Sequence, residues 1–212
     1  VERDINMRRY VGNSNDPEHR KWVGKDWDIM GTHQLCLLVQ MGLREHHTLL
    51  DIGCGALRGG RFLMMYLQPE HYFGIEPEEW LVDAGIEFEV GNDFIDLKKP
   101  CIFLDGDANL SWFNVKFDYI LAHSILFHAN LDWIKKCFSE VKKVLKPNGV
   151  FLSNVKFSDR DDVGTEWNYP TDRRYQRETL EKLLGEAGLK MKVLDVIHPH
   201  GEGQKWIKVM HK

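Results

Sequence analysis

The chain alternates short apolar runs with longer segments whose apolar residues recur at helical spacing. Residues 48–52 (Thr-Leu-Leu-Asp-Ile) form a short apolar run broken by Gly53. That pattern predicts a buried strand ending in a sharp turn. Comparable runs predict strands at 71–76, 101–105, 117–122 and 150–155, then two closing strands at 190–197 and 204–209. Helical spacing predicts helices from about residue 28 to Gly42 and at 58–67, 78–88, 131–146 and 175–187. In the first of these the stripe reads Leu35, Leu38 and Val39. The clearest is 131–146, where Leu131, Ile134, Phe138, Val141 and Leu145 share a face, Asn130 is a ready N-cap, and Pro147 and Gly149 close the end.

Strands alternating with helices predict a three-layer α/β/α sandwich built on a seven-stranded, mostly parallel sheet. The last two strands have no helix between them, and a parallel crossover needs on the order of a dozen residues or more, so the final strand is expected to run antiparallel. No repeat or low-complexity segment interrupts the chain, and its 212 residues suit one domain. Residues 1–46 read as an N-terminal arm and helix forming a lid, and 47–212 as the core. The first 27 residues of the arm are polar, with Trp22 and Trp27 interleaved.

Composition narrows the partners. A net charge of −4 and a pI near 6.2 weigh against nucleic acid, whose phosphates call for a basic surface. Lys142, Lys143 and Lys146 read as a solvated helix face. No window approaches the ~20 apolar residues of a membrane span, and the first residues are charged rather than apolar. Cys36, Cys54, Cys101 and Cys137 form no Cys-x-x-Cys pair and read as buried reduced thiols. Together these features lead us to expect a cytoplasmic protein.

The segment Leu49-Leu50-Asp51-Ile52-Gly53-Cys54-Gly55 carries the first chemical signal. A buried strand delivers an acid to its carboxyl end, and two glycines turn the backbone where a Cβ would obstruct a ligand. In an open α/β sheet this crevice is where a nucleotide sits. A Gly-x-Gly-x-x-Gly dinucleotide fingerprint would need glycine where Arg58 stands. Glu76 ends the second strand about 20 residues on, where a carboxylate can hold ribose hydroxyls. Gly106-Asp107-Ala108 follows the third strand, Phe117 to His123 spans the fourth, and Leu145-Lys146-Pro147-Asn148-Gly149-Val150 leads into the fifth.

In this order and spacing, from about Thr48 to the C-terminus, the chain resembles the class I, Rossmann-like S-adenosylmethionine-dependent methyltransferases. The resemblance implies a cofactor crevice formed by Asp51, Gly53, Cys54, Gly55, Arg58, Glu76, Pro77, Asp107, Ala108 and His123, covered by a helix carrying His33 and Gln34. Asp51 would orient the cofactor's amino group or cap its own loop, Glu76 would hold the ribose, and Asp107-Ala108 would meet the adenine. Arg58 would pair with the cofactor carboxylate, against the plainer reading of a surface arginine. The family often has a third glycine where this chain has Leu57, which reads as added bulk near the methionine moiety.

The histidines divide by sheet edge. His46, His47 and His71 precede strands and fall opposite the crevice, while His19 and His211 carry no signal. His123 and His128 follow the fourth strand and His198 and His200 the sixth, at the reacting edge, where a neutral imidazole can take a proton. His128 is the first candidate base and His123 the second, against plain packing roles. No metal site is expected, since no acidic cluster accompanies these histidines and a sulfonium methyl is already electrophilic.

The loop 157–174, with Trp167, Asn168 and Tyr169, is expected to wall the acceptor, and the charges at 159–162 to be solvated. The resulting expectation is methyl transfer to a small metabolite, such as a sugar or a secondary-metabolite intermediate. The histidine-rich edge favours oxygen as the acceptor atom. The rival classes are an RNA or protein methyltransferase, a non-catalytic S-adenosylmethionine-binding module and an NAD-type oxidoreductase. Arg58 and Gly106-Asp107-Ala108 count against the last.

Overall fold

The computed structural model describes residues 17–201 and 203–212. Residues 1–16 of the expected arm lie outside them. Helices α1 (Glu18–Val23) and α2 (Trp27–Gln40) precede a chain of strands and helices: β1 (Leu49–Ile52), α3 (Gly60–Tyr66), β2 (Tyr72–Ile75), α4 (Glu79–Gly85), α5 (Asn92–Lys98), β3 (Cys101–Phe103), β4 (Phe117–Ala122), α6 (Leu131–Val144), β5 (Leu145–Lys156), α7 (Arg177–Glu186), β6 (Leu189–Val193) and β7 (Gln204–His211). The seven strands order as β3-β2-β1-β4-β5-β7-β6. β7 runs antiparallel between β5 and β6, and the pairs from β3 through β5 are parallel.

Side-chain alternation builds two cores from one sheet. Leu50, Ile120, Phe151 and Val155 point to the face covered by α6 and α7, where Phe138, Val141 and Leu184 are buried. Leu49, Leu121, Val150 and Leu152 point to the other face, against Leu37 and Leu38 of α2 and Leu63 of α3. The strands therefore read as continuous apolar runs, because neither face meets water. On α6 the Asn130 side chain accepts from Trp133 N at 2.8 Å, as the capping pattern predicts.

Several boundaries differ from the sequence reading. The predicted helix 78–88 is α4 followed by a π-helical turn (Ile86–Val90), and α5 goes unpredicted because none of its residues is fully buried. β5 begins at Leu145: a register shift against β4 absorbs the Pro147–Gly149 turn. β6 ends at Val193, so 194–201 lie outside the strand. In α2 the buried positions are Trp27, Met30, Gly31, Gln34, Leu37 and Leu38; of the expected stripe Leu38 is buried while Leu35 and Val39 are half-buried, because apolar residues surround this helix and leave its inward face ambiguous. Among the described residues no helix is long and apolar enough to cross a membrane.

Two helices pinch the loop after β1. A methyl group at Gly31 of α2 would overlap the Arg58 carbonyl oxygen, and one at Gly85 of α4 would lie 2.6 Å from the Ala56 carbonyl oxygen. Between them Leu57 adopts φ +59° with its side chain fully buried. A left-handed leucine costs about 1–2 kcal/mol, which the ~1.5–3 kcal/mol of burying it offsets. Leu57 packs into the α2/α3 core beside Leu63 and Tyr72. This corrects the expectation that it crowds the methionine moiety: the backbone bend a glycine would make is kept, and the side chain points away from the crevice.

Candidate active site

The carboxyl ends of β1, β2 and β4 open into a cavity of about 630 Å³. At the end of β1, Asp51 is buried and accepts the Tyr72 hydroxyl at 2.9 Å. Burial pushes its pKa up to about 7, a rise that the Tyr72 bond opposes and the Glu76 charge assists. The turn that follows carries Gly53 at φ +71° and Gly55 at φ +53°. Glu76, just past β2, locks that turn: one carboxylate oxygen accepts Gly55 N at 2.9 Å and the other accepts Glu78 N at 3.1 Å. Burial raises the Glu76 pKa, and these backbone donors pull it back. Each carboxylate oxygen retains a lone pair for a ligand hydroxyl.

Beyond β3, Asp105 accepts the backbone N–H groups of Asp107 (3.1 Å) and Asn109 (3.0 Å), fixing the Asp107-Ala108 turn at the cavity wall. Sequence reading missed Asp105, although an acid two residues before a turn is a recognisable Asx signal. It also missed Trp133, whose indole donates to Gly106 O at 2.7 Å and which lines the cavity. A tryptophan on the polar side of the α6 stripe was the available sign.

Arg58 is buried at the cavity wall. Its guanidinium reaches Lys25 O (3.3 Å) and His123 Nδ1 (3.4 Å), while Nε has no hydrogen-bond partner. Burial lowers its pKa to about 10, so it stays charged at neutral pH. Among the described residues no carboxylate forms an ion pair with it.

His123 follows β4 and is buried, stacked on Trp206 and His198. Gln34 Nε2 lies 3.2 Å from its Nδ1, and His198 Nε2 lies 3.1 Å from its Nε2. Burial, then the Arg58 charge, holds its pKa well below that of a free imidazole. Both ring nitrogens are engaged within the protein. His128 differs. Its Nδ1 lies 2.8 Å from Thr171 O, a carbonyl that can only accept, so the ring proton sits on Nδ1 and Nε2 carries the lone pair. Burial lowers its pKa, opposed by the Thr171 and Asn168 carbonyls.

His33, His198 and His200 have partners within the protein. His33 packs on His198 and Trp206 and does not line the cavity. His198 backs His123, and His200 Nε2 lies 3.2 Å from Asp26. Among the described residues no three His, Cys, Asp or Glu side chains are grouped to hold a metal. His19, read as uninformative, is buried and donates to Glu89 at 2.8 Å. Glu89 also accepts Arg20 Nε at 2.6 Å and Nη2 at 2.9 Å, latching α1 to the π-helical turn. Burial would raise the Glu89 pKa, but Arg20 and His19 hold it below the usual value. The latch sets Trp22 and Val23 over the cavity, and the Tyr169 hydroxyl donates to Trp22 O from the opposite side.

The loop after β5 is pinned. Asn168 N donates to His128 O (2.9 Å), Arg173 N donates to Phe127 O (2.7 Å), and the buried Arg173 side chain pairs with Asp162. Asp161 accepts Gln176 N at 2.7 Å and the Thr179 hydroxyl at 2.6 Å. These acids are therefore anchors, not solvated charges as expected. Lys143 and Lys146 pair with Glu140 and Asp118. All four cysteines are free thiols, with Cys54 and Cys137 buried as expected and Cys36 exposed.

One stability prediction follows from the buried imidazoles. Burial, then the charges of His200 and His33, brings the His198 pKa down to about 4, whereas the unfolded chain titrates near 6.5. Between these values the unfolded state binds more protons, so stability is intact above pH 6.5 and falls as pH drops toward 4. Tm measured from pH 7.5 to 4 should fall more steeply in the wild type than in His198→Gln, by several degrees (about 2–4 °C per kcal/mol in a domain of this size). Parallel curves would show that His198 does not titrate in this window.

Comparison with known proteins agrees with this geometry. Residues 50–151 match a family described as "Methyltransferase domain". A sterol 24-C-methyltransferase of Neurospora crassa is 25% identical over 59% of this chain and 32% of its own length. A tRNA U34 carboxymethyltransferase of Campylobacter fetus is 31% identical over 53% of this chain and 37% of its own. The chain thus spans about a third of the length of these relatives. Among solved structures, magnesium protoporphyrin IX methyltransferase from Synechocystis with bound S-adenosylmethionine superposes with a TM-score of 0.65, at 13% identity over 97% of this chain and 89% of its own. The CcbJ methyltransferase of Streptomyces caelestis gives a TM-score of 0.68 at 15% identity, over 92% and 93% of the two chains. The domain match covers just under half of the chain, and the seven-stranded sheet is the Rossmann-like methyltransferase fold that these solved structures share.

Proposed function

We propose that the protein transfers a methyl group from S-adenosylmethionine to an oxygen atom of a small-molecule acceptor, with His128 as the base. The observation that carries this reading is the His128 ring, whose Nδ1 proton is committed to Thr171 O, so that Nε2 is the nitrogen able to accept a proton at the cavity wall. A cavity of about 630 Å³ falls within the roughly 300–1,000 Å³ of small-molecule sites.

The residues fit the cofactor on two counts. Arg58 is a buried cation without a carboxylate partner among the described residues, which suits the cofactor carboxylate. Glu76 is a buried acid with lone pairs to spare, which suits the ribose hydroxyls. Gln34, Asp51, Gly53, Cys54, Gly55, Pro77, Asp107, Ala108 and His123 line the same crevice and complete the proposed cofactor site. When bound, S-adenosylmethionine supplies an electrophilic methyl whose bonding pair to sulfur stays on sulfur. The protein's contribution is to hold the acceptor oxygen in line, exclude water beneath Trp22 and Tyr169, and take the hydroxyl proton on His128 Nε2.

Thermal shift tests the cofactor. S-adenosylhomocysteine at about 100 times its Kd should add ~2.7 kcal/mol of stability and raise Tm by roughly 5–10 °C, while NAD should leave it unchanged. A shift with NAD alone would sink the reading.

A further inference from the structure

We infer that the acceptor is a flat aromatic molecule presenting one hydroxyl, and that its ring lies among Trp22, Trp167 and Tyr169. The inference rests on the methyl-transfer reading and concerns the part of the same cavity that the cofactor residues leave over.

The walls there are rings. Trp22 and Tyr169 lie 5.6 Å apart at 38°, Tyr169 meets the His128 ring edge-on at 5.1 Å, and Trp167 stands 6.3 Å from His128. Trp22, Trp167 and Tyr169 remain 47%, 49% and 40% exposed, an unusual amount of aromatic surface to leave facing water around a cavity. A planar guest would cover it by stacking. The walls are also stiff, since the loop carrying Trp167 and Tyr169 is bound to His128 O and Phe127 O by backbone bonds.

The polar groups decide what else the guest carries. Asn130 uses its oxygen on Trp133 N and its amide nitrogen on Thr165 O. The Tyr169 hydroxyl is given to Trp22 O, and His128 Nδ1 to Thr171 O. His128 Nε2 is left to accept a hydroxyl proton, and the indole N–H groups of Trp22 and Trp167 stand beside it. A sugar, one of the acceptors expected from sequence, carries more hydroxyls than these groups can pair. A phenolic hydroxyl, with a pKa near 10, is also acidic enough for a weak imidazole base. In the transfer the O–CH3 bond forms, the S–CH3 bond breaks with its pair kept by sulfur, and the phenolic proton passes to Nε2 and then to solvent.

The test is calorimetry on the full chain with and without S-adenosylhomocysteine, using 2-naphthol, its saturated analogue decahydro-2-naphthol, and methyl glucoside as probes. 2-Naphthol should bind at least tenfold tighter than either of the others, and Trp167→Leu should erase most of that preference while S-adenosylhomocysteine affinity stays within about twofold. Equal binding of the saturated analogue, or tighter binding of the glucoside, overturns the inference and needs no variant to show it. A retained naphthol preference in a protein that does not bind S-adenosylhomocysteine strikes the methyl-transfer reading instead.

Discussion

His128→Ala is expected to lower kcat by about 10²–10⁴-fold while leaving S-adenosylhomocysteine affinity nearly unchanged, because the lost group serves the acceptor proton and not the cofactor. The ring is prepared for this by its surroundings: Thr171 O fixes the Nδ1 tautomer, and Phe127 and Tyr169 pack on the ring. Burial lowers the His128 pKa, so the neutral, proton-accepting form persists below pH 6.5 and the acid limb of the pH–rate profile should fall below that value. In His128→Ala that limb should vanish. Full activity with an unchanged profile would remove His128 from the chemistry. His123→Ala, by contrast, should raise the cofactor Kd through Gln34 and Arg58 and leave the pH profile in place.

Glu76→Ala is expected to weaken S-adenosylhomocysteine binding by at least tenfold, and by up to roughly a thousandfold. Hydrogen bonds to a charged acceptor contribute about 1.5–3 kcal/mol each, and two ribose hydroxyls are available to make them. The same substitution strands the Gly55 and Glu78 N–H groups that the carboxylate now satisfies, so the turn loosens as well. Glu76→Gln separates the two effects: it keeps one oxygen for a backbone donor but replaces the other with an amide. Calorimetry on both variants, with Tm as a folding control, reads the outcome. Affinity unchanged in a folded Glu76→Ala protein would place the ribose elsewhere.

Much of this was legible because it is local. The β1 run, its glycine turn and the Asn130-capped α6 are written in consecutive residues, and helical or extended periodicity carries them directly. The crevice residues Asp51, Glu76 and Asp107 were legible for the same reason, since each sits where a strand stops. What escaped depends on distant partners. His19 and Arg20 acquire meaning only from Glu89, some seventy positions away. Trp133 gains its role from Gly106, and Asp162 from Arg173. α5 left no signal because a short helix that buries no side chain needs no apolar stripe. The acceptor walls were visible only as aromatic letters in a loop. Their use became definable once Asn130, the Tyr169 hydroxyl and His128 Nδ1 beside them were seen to be occupied.

The pinched loop at Ala56–Leu57–Arg58 has a consequence for ligand capture. Gly31 and Gly85 let two helix backbones press on its carbonyls from opposite sides, and Leu57 is anchored in the core in a left-handed conformation. A glycine-rich loop left to itself would sample many shapes and lose that freedom when a ligand arrived. Here the freedom is lost at folding, so the crevice is preorganised and the ligand's contacts convert more fully into affinity. Gly31 and Gly85 touch nothing in the cavity, yet a side chain at either would be felt as weaker binding at a distance.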